Sequence, residues 1–500
     1  MGVSLEAKMF ESAEIGHKID KQTYSIQVPE LRASLVEAQY ELNEARQFPV
    51  IVVVAGVEFA GRGEVINTLN EWMDPRHIQV HASRAATSVE LEYPTLWRFW
   101  QDLPPKGKIG MFFGSWYTPL FRELANGNKN TADWERAMER IIRFEKMLAD
   151  EGAVIVKFWL HLSQDALKKR IKKLGKHAET KWKVANLDPG IVKNYQSFKS
   201  LAESVVIESS RAHAPWIVVE SSQPKFRNLT VGTALLQAIR SRLKHGHTHS
   251  ITSVAPIHQP LDQLGLLDTL NLDCALDRND YKQQLKHHQG RLHRLAHHKK
   301  FQDLSVVLVF EGNDAAGKGG AIRRVTGALD VRQMKIHPIS APTDEELAQP
   351  FLWRFWRRLP RRGRIAVFDR SWYGRVLVER VEGYCGQDDW MRAYSEINEF
   401  EEELSEANML VIKFWLAISK DEQLKRFKER EHVRFKKFKI TPDDWRNREK
   451  WDAYVRAVND MIDRTSTAQS PWVLVEANNK WHARVKVVKT IADRLEDALR

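Results

Sequence analysis

At 500 residues, with 43% hydrophobic and 28% charged positions, the chain is long enough for about two to four domains of roughly 100–200 residues each and too apolar to be disordered. Cys274 and Cys385 are its only cysteines, which excludes a disulfide framework. A net charge of +12 points to an anionic partner: nucleic acid, a membrane face or a polyanionic substrate. No zinc finger, K-homology loop or RNP strand is present, which removes the support for nucleic acid as that partner.

The first twenty residues, "MGVSLEAKMFESAEIGHKID", hold no apolar core of signal-peptide length, and no stretch reaches the roughly 18 consecutive apolar residues of a membrane span. A cytoplasmic protein without membrane contact is expected. At residues 50–64 an apolar strand runs into "AGVEFAGRGE", a glycine-rich turn that reappears at 311–320 as "EGNDAAGKGG". Gly56 and Gly312 lie 256 positions apart (312 − 56), and that offset holds without a gap. It aligns "WRFW" at 97 with 353, "SWY" at 115 with 371, "KFWL" at 157 with 413 and "PW" at 215 with 471. The chain is a tandem duplication.

Each half reads as strand, glycine-rich turn, helix, then strands alternating with helices. In the second half the predicted strands are "SVVLVF", "RIAVFD" (364–369), "MLVIKFWL" (409–416) and "WVLVEA" (472–477). Near-continuous apolar strands between helices predict a parallel sheet covered on both faces: an α/β, three-layer, P-loop kinase-like domain present twice. The expected organisation is a degenerate domain over 1–245, a linker over 246–275 and a catalytic domain over 276–500. The linker segment carries alternating histidines at 245–249, but no acidic or cysteine ligand sits at a fixed spacing beside them.

The second turn meets the phosphate-loop pattern G-x-x-x-x-G-K-[ST] through Gly312, Gly317 and Lys318, except that Gly319 occupies the hydroxyl position. Backbone N–H groups from Gly312 through Asn313, Ala316, Gly317, Gly319 and Gly320 would cradle phosphate oxygens, with Lys318 reaching across them. Asp369 closes an apolar strand where a metal-directed carboxylate is expected, and Asp314 can supply the oxygen that the missing hydroxyl would have given. The alternatives are a helix N-cap for Asp369 and a turn-forming role for Asp314.

Duplication supplies an internal control. Shared residues, such as the loop glycines, Trp353, Phe355, Trp356, Trp372 and Tyr373, belong to the fold, and Arg354 has a twin at Arg98. Differences gather where charge would meet phosphate: Asp314 is matched by Glu58, Lys318 by Arg62, Asp369 by Phe113, Arg370 by Gly114 and Arg375 by Pro119. The first half is therefore expected to be catalytically dead. Downstream, "LKRFKEREHVRFKKFK" reads as a phosphate-clamping lid containing Arg426, Arg430, Arg434, Lys436 and Lys437, and "RRLPRRGR" (357–364) as a second basic zone. Arg430 and Arg434 become Leu174 and Ala178 in the first half, whereas Arg426 is kept as Arg170.

These motifs together, "GNDAAGKGGAI" (312–322), "FDRSWYGR" (368–375), "LKRFKER" with "KFKITPDDWRNREKWDAY", and "PWVLVEANNK", resemble the polyphosphate kinase 2 family and, within it, the two-domain polyphosphate:AMP phosphotransferases. The resemblance covers most of 276–500 and, less specifically, 1–245. It implies phosphoryl transfer between inorganic polyphosphate and AMP or ADP, with Mg²⁺, or Mn²⁺ in its place, as cofactor. It also places Asp314, Lys318, Asp369, Arg370 and Arg375 on the family's catalytic positions and Arg426 and Arg430 on its lid, with Asp314 and Asp369 as metal ligands. Family members are commonly oligomers of the single domain, so a fused pair that mimics a dimer, and a homo-oligomer of it, are both allowed.

Overall fold

The computed structural model describes residues 9–125, 131–185, 190–246, 265–433 and 440–500. The expected lid residues Arg434, Lys436 and Lys437, and the histidines at 247 and 249, lie outside these. Two compact units emerge. The first contains the described residues within Met1–Ala85, Arg98–Ser250 and Thr343–Pro350; the second contains those within Ala86–Trp97, Ile251–Pro342 and Phe351–Arg500.

In the first unit the strands are β1 (Val50–Gly56), β2 (Ile78–Ala82), β3 (Ile109–Phe113), β4 (Val154–His161) and β5 (Trp216–Glu220). They form one five-stranded sheet in the order β2-β3-β1-β4-β5, parallel throughout. In the second unit β6 (Ser305–Gly312), β7 (Met334–Pro338), β8 (Ile365–Asp369), β9 (Met409–Ala417) and β10 (Trp472–Glu476) repeat that order as β7-β8-β6-β9-β10, again parallel. Parallel strands need crossover helices, which cover both faces and bury the inner strands completely. Val307, Leu308, Val309 and Phe310 on β6 are each 0% exposed. Around them Ile322, Val325, Val488, Ile491 and Leu495 close one core.

One edge strand of each sheet, β2 and β7, was missing from the strands expected above. Their sequences, IQVHA and MKIHP, show mixed exposure rather than an apolar run, whereas β10, the opposite edge of its sheet, reads WVLVE and was expected. The linker segment contains a short 3₁₀ turn at Leu266–Thr269. Cys274 and Cys385 are half-buried.

A charged cluster sits at the core of each unit. In the second, Lys413 on β9 is 0% exposed and donates to Glu401 (2.7 Å), the Tyr373 hydroxyl (2.8 Å) and the Thr465 carbonyl (2.6 Å). The Trp372 indole N–H also donates to Glu401, at 3.1 Å. In the first unit Lys157 meets Glu145, Tyr117 and the Ser209 carbonyl at 2.6, 2.9 and 2.9 Å. Here lies the physical content of the repeated Ser-Trp-Tyr turn: its aromatic rings pack, and their polar tips satisfy a buried carboxylate.

Candidate active site

The ends of β6 and β8 position the site in the second unit. Gly312 closes β6 with φ of +149°, and a Cβ there would lie 2.5 Å from the Leu416 carbonyl oxygen on β9, closer than any side chain tolerates. The chain then turns through Ala315, held at φ +63°, and Gly317 at φ +107°, before the helix Lys318–Thr326 begins. The Gly320 and Ala321 N–H groups both donate to the Gly317 carbonyl, at 2.9 and 3.0 Å, which leaves the Lys318 and Gly319 N–H groups at the helix start for an anion. Gly319 and Gly320 occupy its first turn. No atom outside the local helix lies within 4 Å of a Cβ built at Gly319, so the absent hydroxyl is not a matter of room.

Asn313 fixes the loop: its side-chain oxygen accepts from the Ile418 N–H at 3.2 Å, while the Ala316 N–H donates to the Asn313 carbonyl at 3.0 Å. Lys318 Nζ donates to the Gly312 carbonyl at 2.5 Å, which holds the ammonium over the cradle. Asp314 is bound from two sides: Asn447 Nδ2 donates to it at 2.8 Å and Arg370 Nη2 lies 3.5 Å away. It makes no turn-forming bond of its own. Asp369, the last residue of β8, does not cap the following turn either, because Ser371 does so by accepting from the Tyr373 N–H. Among the described residues the Asp369 carboxylate makes no hydrogen bond or ion pair.

Lys318, Asp314, Asn313 and Arg370 share the wall of one cavity of about 100 Å³ with Glu311, Gln423, Asn447, Trp451 and Tyr454. Of the expected catalytic and lid residues, Asp369, Arg375, Arg426 and Arg430 do not line it. Arg375 turns away to Glu379, 3.3 Å from its carboxylate, and lies over the Phe351 ring at 4.6 Å. Arg426, expected on the lid, is 2% exposed. Its guanidinium donates to the carbonyls of Ala315, Ala316, Ala477 and Asn478 between 2.7 and 3.0 Å, and to Glu422 at 2.6 Å. This corrects its role: Arg426 is a buried clamp on the back of the loop, whereas its counterpart Arg170 pairs with Glu64 and the Ala60 carbonyl of that loop is held by Arg227 instead. Arg430, one turn further, is half-buried on the same helix, Lys420–His432. In the second basic zone Arg361 is engaged with Glu92, at 2.7 Å within the same unit.

Sequence reasoning missed Glu311, Asn447 and Tyr454. Glu311 is the most telling, since the offset of 256 matches it with Ala55 and so marks it as peculiar to the second half. It is 6% exposed and accepts from the Ser371 hydroxyl at 2.8 Å. Burial raises its pKa above the ordinary carboxylate range, with the Lys318 ammonium the largest opposing influence. A group with a raised folded-state pKa favours folding while protonated, and that contribution is lost as pH rises through the folded value. Glu311→Gln, which keeps an oxygen for Ser371, is therefore expected to be more stable than the parent at about pH 8, with the gap closing toward about pH 4. Urea titrations at the two values test it; a pH-independent gap would contradict it.

Arg370 carries a comparable cost. Its φ is +64°, in the left-handed region that disfavours side chains, and its partner in the first half, Gly114, has φ +77°. The strain of a non-glycine residue there is about 1–3 kcal/mol. Arg370→Gly is expected to raise unfolding free energy by about 1 kcal/mol, read by urea denaturation, while lowering activity. The first half carries neither cost, with Ala55 and Gly114 at the two positions.

Comparison with known proteins agrees with this geometry. Residues 18–247 and 275–500 each match the family described as Polyphosphate kinase 2 (PPK2). A polyphosphate:AMP phosphotransferase of Pseudomonas aeruginosa is 53% identical over 491 residues, covering 98% of this chain and 99% of the relative. One of Acinetobacter johnsonii is 38% identical, covering 93% and 96%. A Pseudomonas aeruginosa PA01 protein whose crystal structure is described under polyphosphate kinase 2 superimposes with a TM-score of 0.88 at 52% identity, covering 98% of this chain and 99% of that one.

Proposed function

Because this chain belongs to the polyphosphate kinase 2 family, we propose that it transfers a terminal phosphoryl group from inorganic polyphosphate to AMP, giving ADP, and does so in its second half alone. The observation that carries the reading is the shared cavity that brings Lys318, Asp314 and Arg370 beside a glycine-turned helix start, with their counterparts lost from the first half. The relatives named for AMP, which match end to end, support the acceptor. Nucleotide and polyphosphate as substrates place the work in the cytoplasm; among the described residues no helix is long and apolar enough to cross a membrane.

Phosphoryl transfer passes through a loose transition state, so alignment and charge neutralisation do most of the work. The loop N–H groups hold the terminal phosphates, Lys318 and Arg370 take charge developing on the equatorial oxygens, and Asp314, fixed by Asn447, orients the loop's mouth. Trp451 and Tyr454 offer aromatic faces to the acceptor's base. An AMP phosphate, with second pKa near about 6, is already largely dianionic at neutral pH and needs little general base. Asp314 and Asp369 would hold Mg²⁺. Among the described residues no cluster of three metal-ligating side chains exists, which suits a hard cation held by one or two carboxylates and completed by water and substrate oxygens. Such an ion, when bound, supplies neutralisation of charge on the phosphates.

The test offers the purified chain long polyphosphate and Mg²⁺ with AMP, ADP or GMP in turn, and ATP as a control donor. ADP from AMP and polyphosphate is the expected product. ADP formed only when ATP is the donor would make the protein a conventional nucleoside monophosphate kinase.

A further inference from the structure

The first unit keeps a cavity at the position of the lost site, and it is the larger of the two: about 270 Å³ against about 100 Å³. Most changes in its wall are toward apolar residues, with Thr118 and the exposed Arg122, in place of Gly374 and Val378, the exceptions. Under the offset of 256, Glu311 becomes Ala55, Asn313 becomes Val57, Gln423 becomes Leu167 and Tyr454 becomes Phe198, and all four replacements line the cavity. Each removes a hydrogen-bonding group. None of them closes the space, and Phe121 and Tyr195 add two more rings to the lining. Relaxed selection would scatter polar and bulky residues over such a wall, and close packing would tend to fill it.

The charge that served phosphate has been withdrawn as well. Arg62, in the Lys318 position, is bonded to Glu58 at 2.7 Å and lies 5.6 Å from the centre of the Phe113 ring, which stands where Asp369 would. Ser115, Thr118 and Asn194 supply neutral polar groups to the wall, which also includes the paired Glu58 and Arg62 and the exposed Arg122. Apolar, ring-lined walls with a short polar edge select a flat heterocycle that carries hydroxyls and little charge.

We propose that the first half is a binding site for an uncharged purine nucleoside, adenosine being the probe of choice. The ligand would be held by Leu167, Phe121, Tyr195 and Phe198 around its base and by the polar edge at its sugar. The choice of a nucleoside, rather than another flat heterocycle, rests on the reading of the second half as a nucleotide site, from which this cavity descends.

Calorimetric titration of adenosine into the full chain tests it, with three variants. Leu167→Trp fills the cavity. Leu167→Gln restores the second half's own residue, which the fold accepts at that position. Trp451→Ala disturbs the second site instead. Saturable binding is expected below about 1 mM, weakened at least about tenfold in both Leu167 variants and unchanged in Trp451→Ala. Absence of saturable binding in the parent chain would overturn the proposal, as would binding that survives both Leu167 changes or that is lost only in Trp451→Ala. Tripolyphosphate binding that disappears with Arg62→Ala would also overturn it, by making the first half a guide for polyanions. ADP formation from AMP and polyphosphate is followed in the same samples: adenosine binding as described, with no transfer in the parent, sinks the reading of the second half and leaves the cavity's ligand standing.

Discussion

Replacing Lys413 by methionine is expected to lower unfolding free energy by about 3–5 kcal/mol, the usual consequence of leaving one partner of a buried ion pair uncompensated. Glu401 would keep only Trp372 and Tyr373 as donors in a site that is 1% exposed. Lys157→Met is expected to cost a similar amount, because Glu145 in the first unit has the same surroundings at the same offset. The double variant Lys413→Met/Glu401→Leu should recover part of the loss, since it removes both charges together. Chemical denaturation of the three proteins checks this, and a small effect of Lys413→Met with a large loss of activity would make the lysine a catalytic group instead. Equal penalties in the two halves would show that the cluster supports the fold and not the chemistry.

The second large effect belongs to the phosphate cradle. Lys318→Ala and Asp369→Asn are each expected to lower the transfer rate by at least about 10²–10³, roughly 2.7–4 kcal/mol of transition-state stabilisation. Lys318 stands over the loop carbonyls, where no other ammonium among the described residues shares the cavity wall, and Asp369 is the strand-end carboxylate left free of protein partners among the described residues. Both changes are at or near the surface of a site rather than in the core, so folding should be retained and the loss should appear in kcat. Initial rates with AMP and polyphosphate measure it.

The fold was legible because duplication made its pattern visible twice. Buried strands such as β6 and β9 announce themselves as unbroken apolar runs, and the offset fixes their equivalents in the other half. Strands β2 and β7 do not, since an edge strand need not be apolar, although β10 at the opposite edge is. Among site residues, Asp314, Lys318 and Arg370 were found by comparing halves, because charge differences are conspicuous. Glu311 and Tyr454 also differ between the halves and were passed over: one lies inside a strand that reads as apolar, and the other swaps for Phe198 without a change of charge. Arg426 failed for a different reason. A basic residue on a basic helix resembles a phosphate clamp from its neighbours alone, and only its burial against four carbonyls assigns it to the loop's support.

One comparison tests most directly the claim that transfer lives in the second half alone: the rate of ADP formation from AMP and polyphosphate by Arg62→Ala beside that of Lys318→Ala, in the full chain. The two residues occupy equivalent places in their loops. Arg62→Ala is expected to stay within about a few-fold of the parent while Lys318→Ala falls by at least about 10². Comparable losses from both would contradict the account and make the first half a working partner in the reaction.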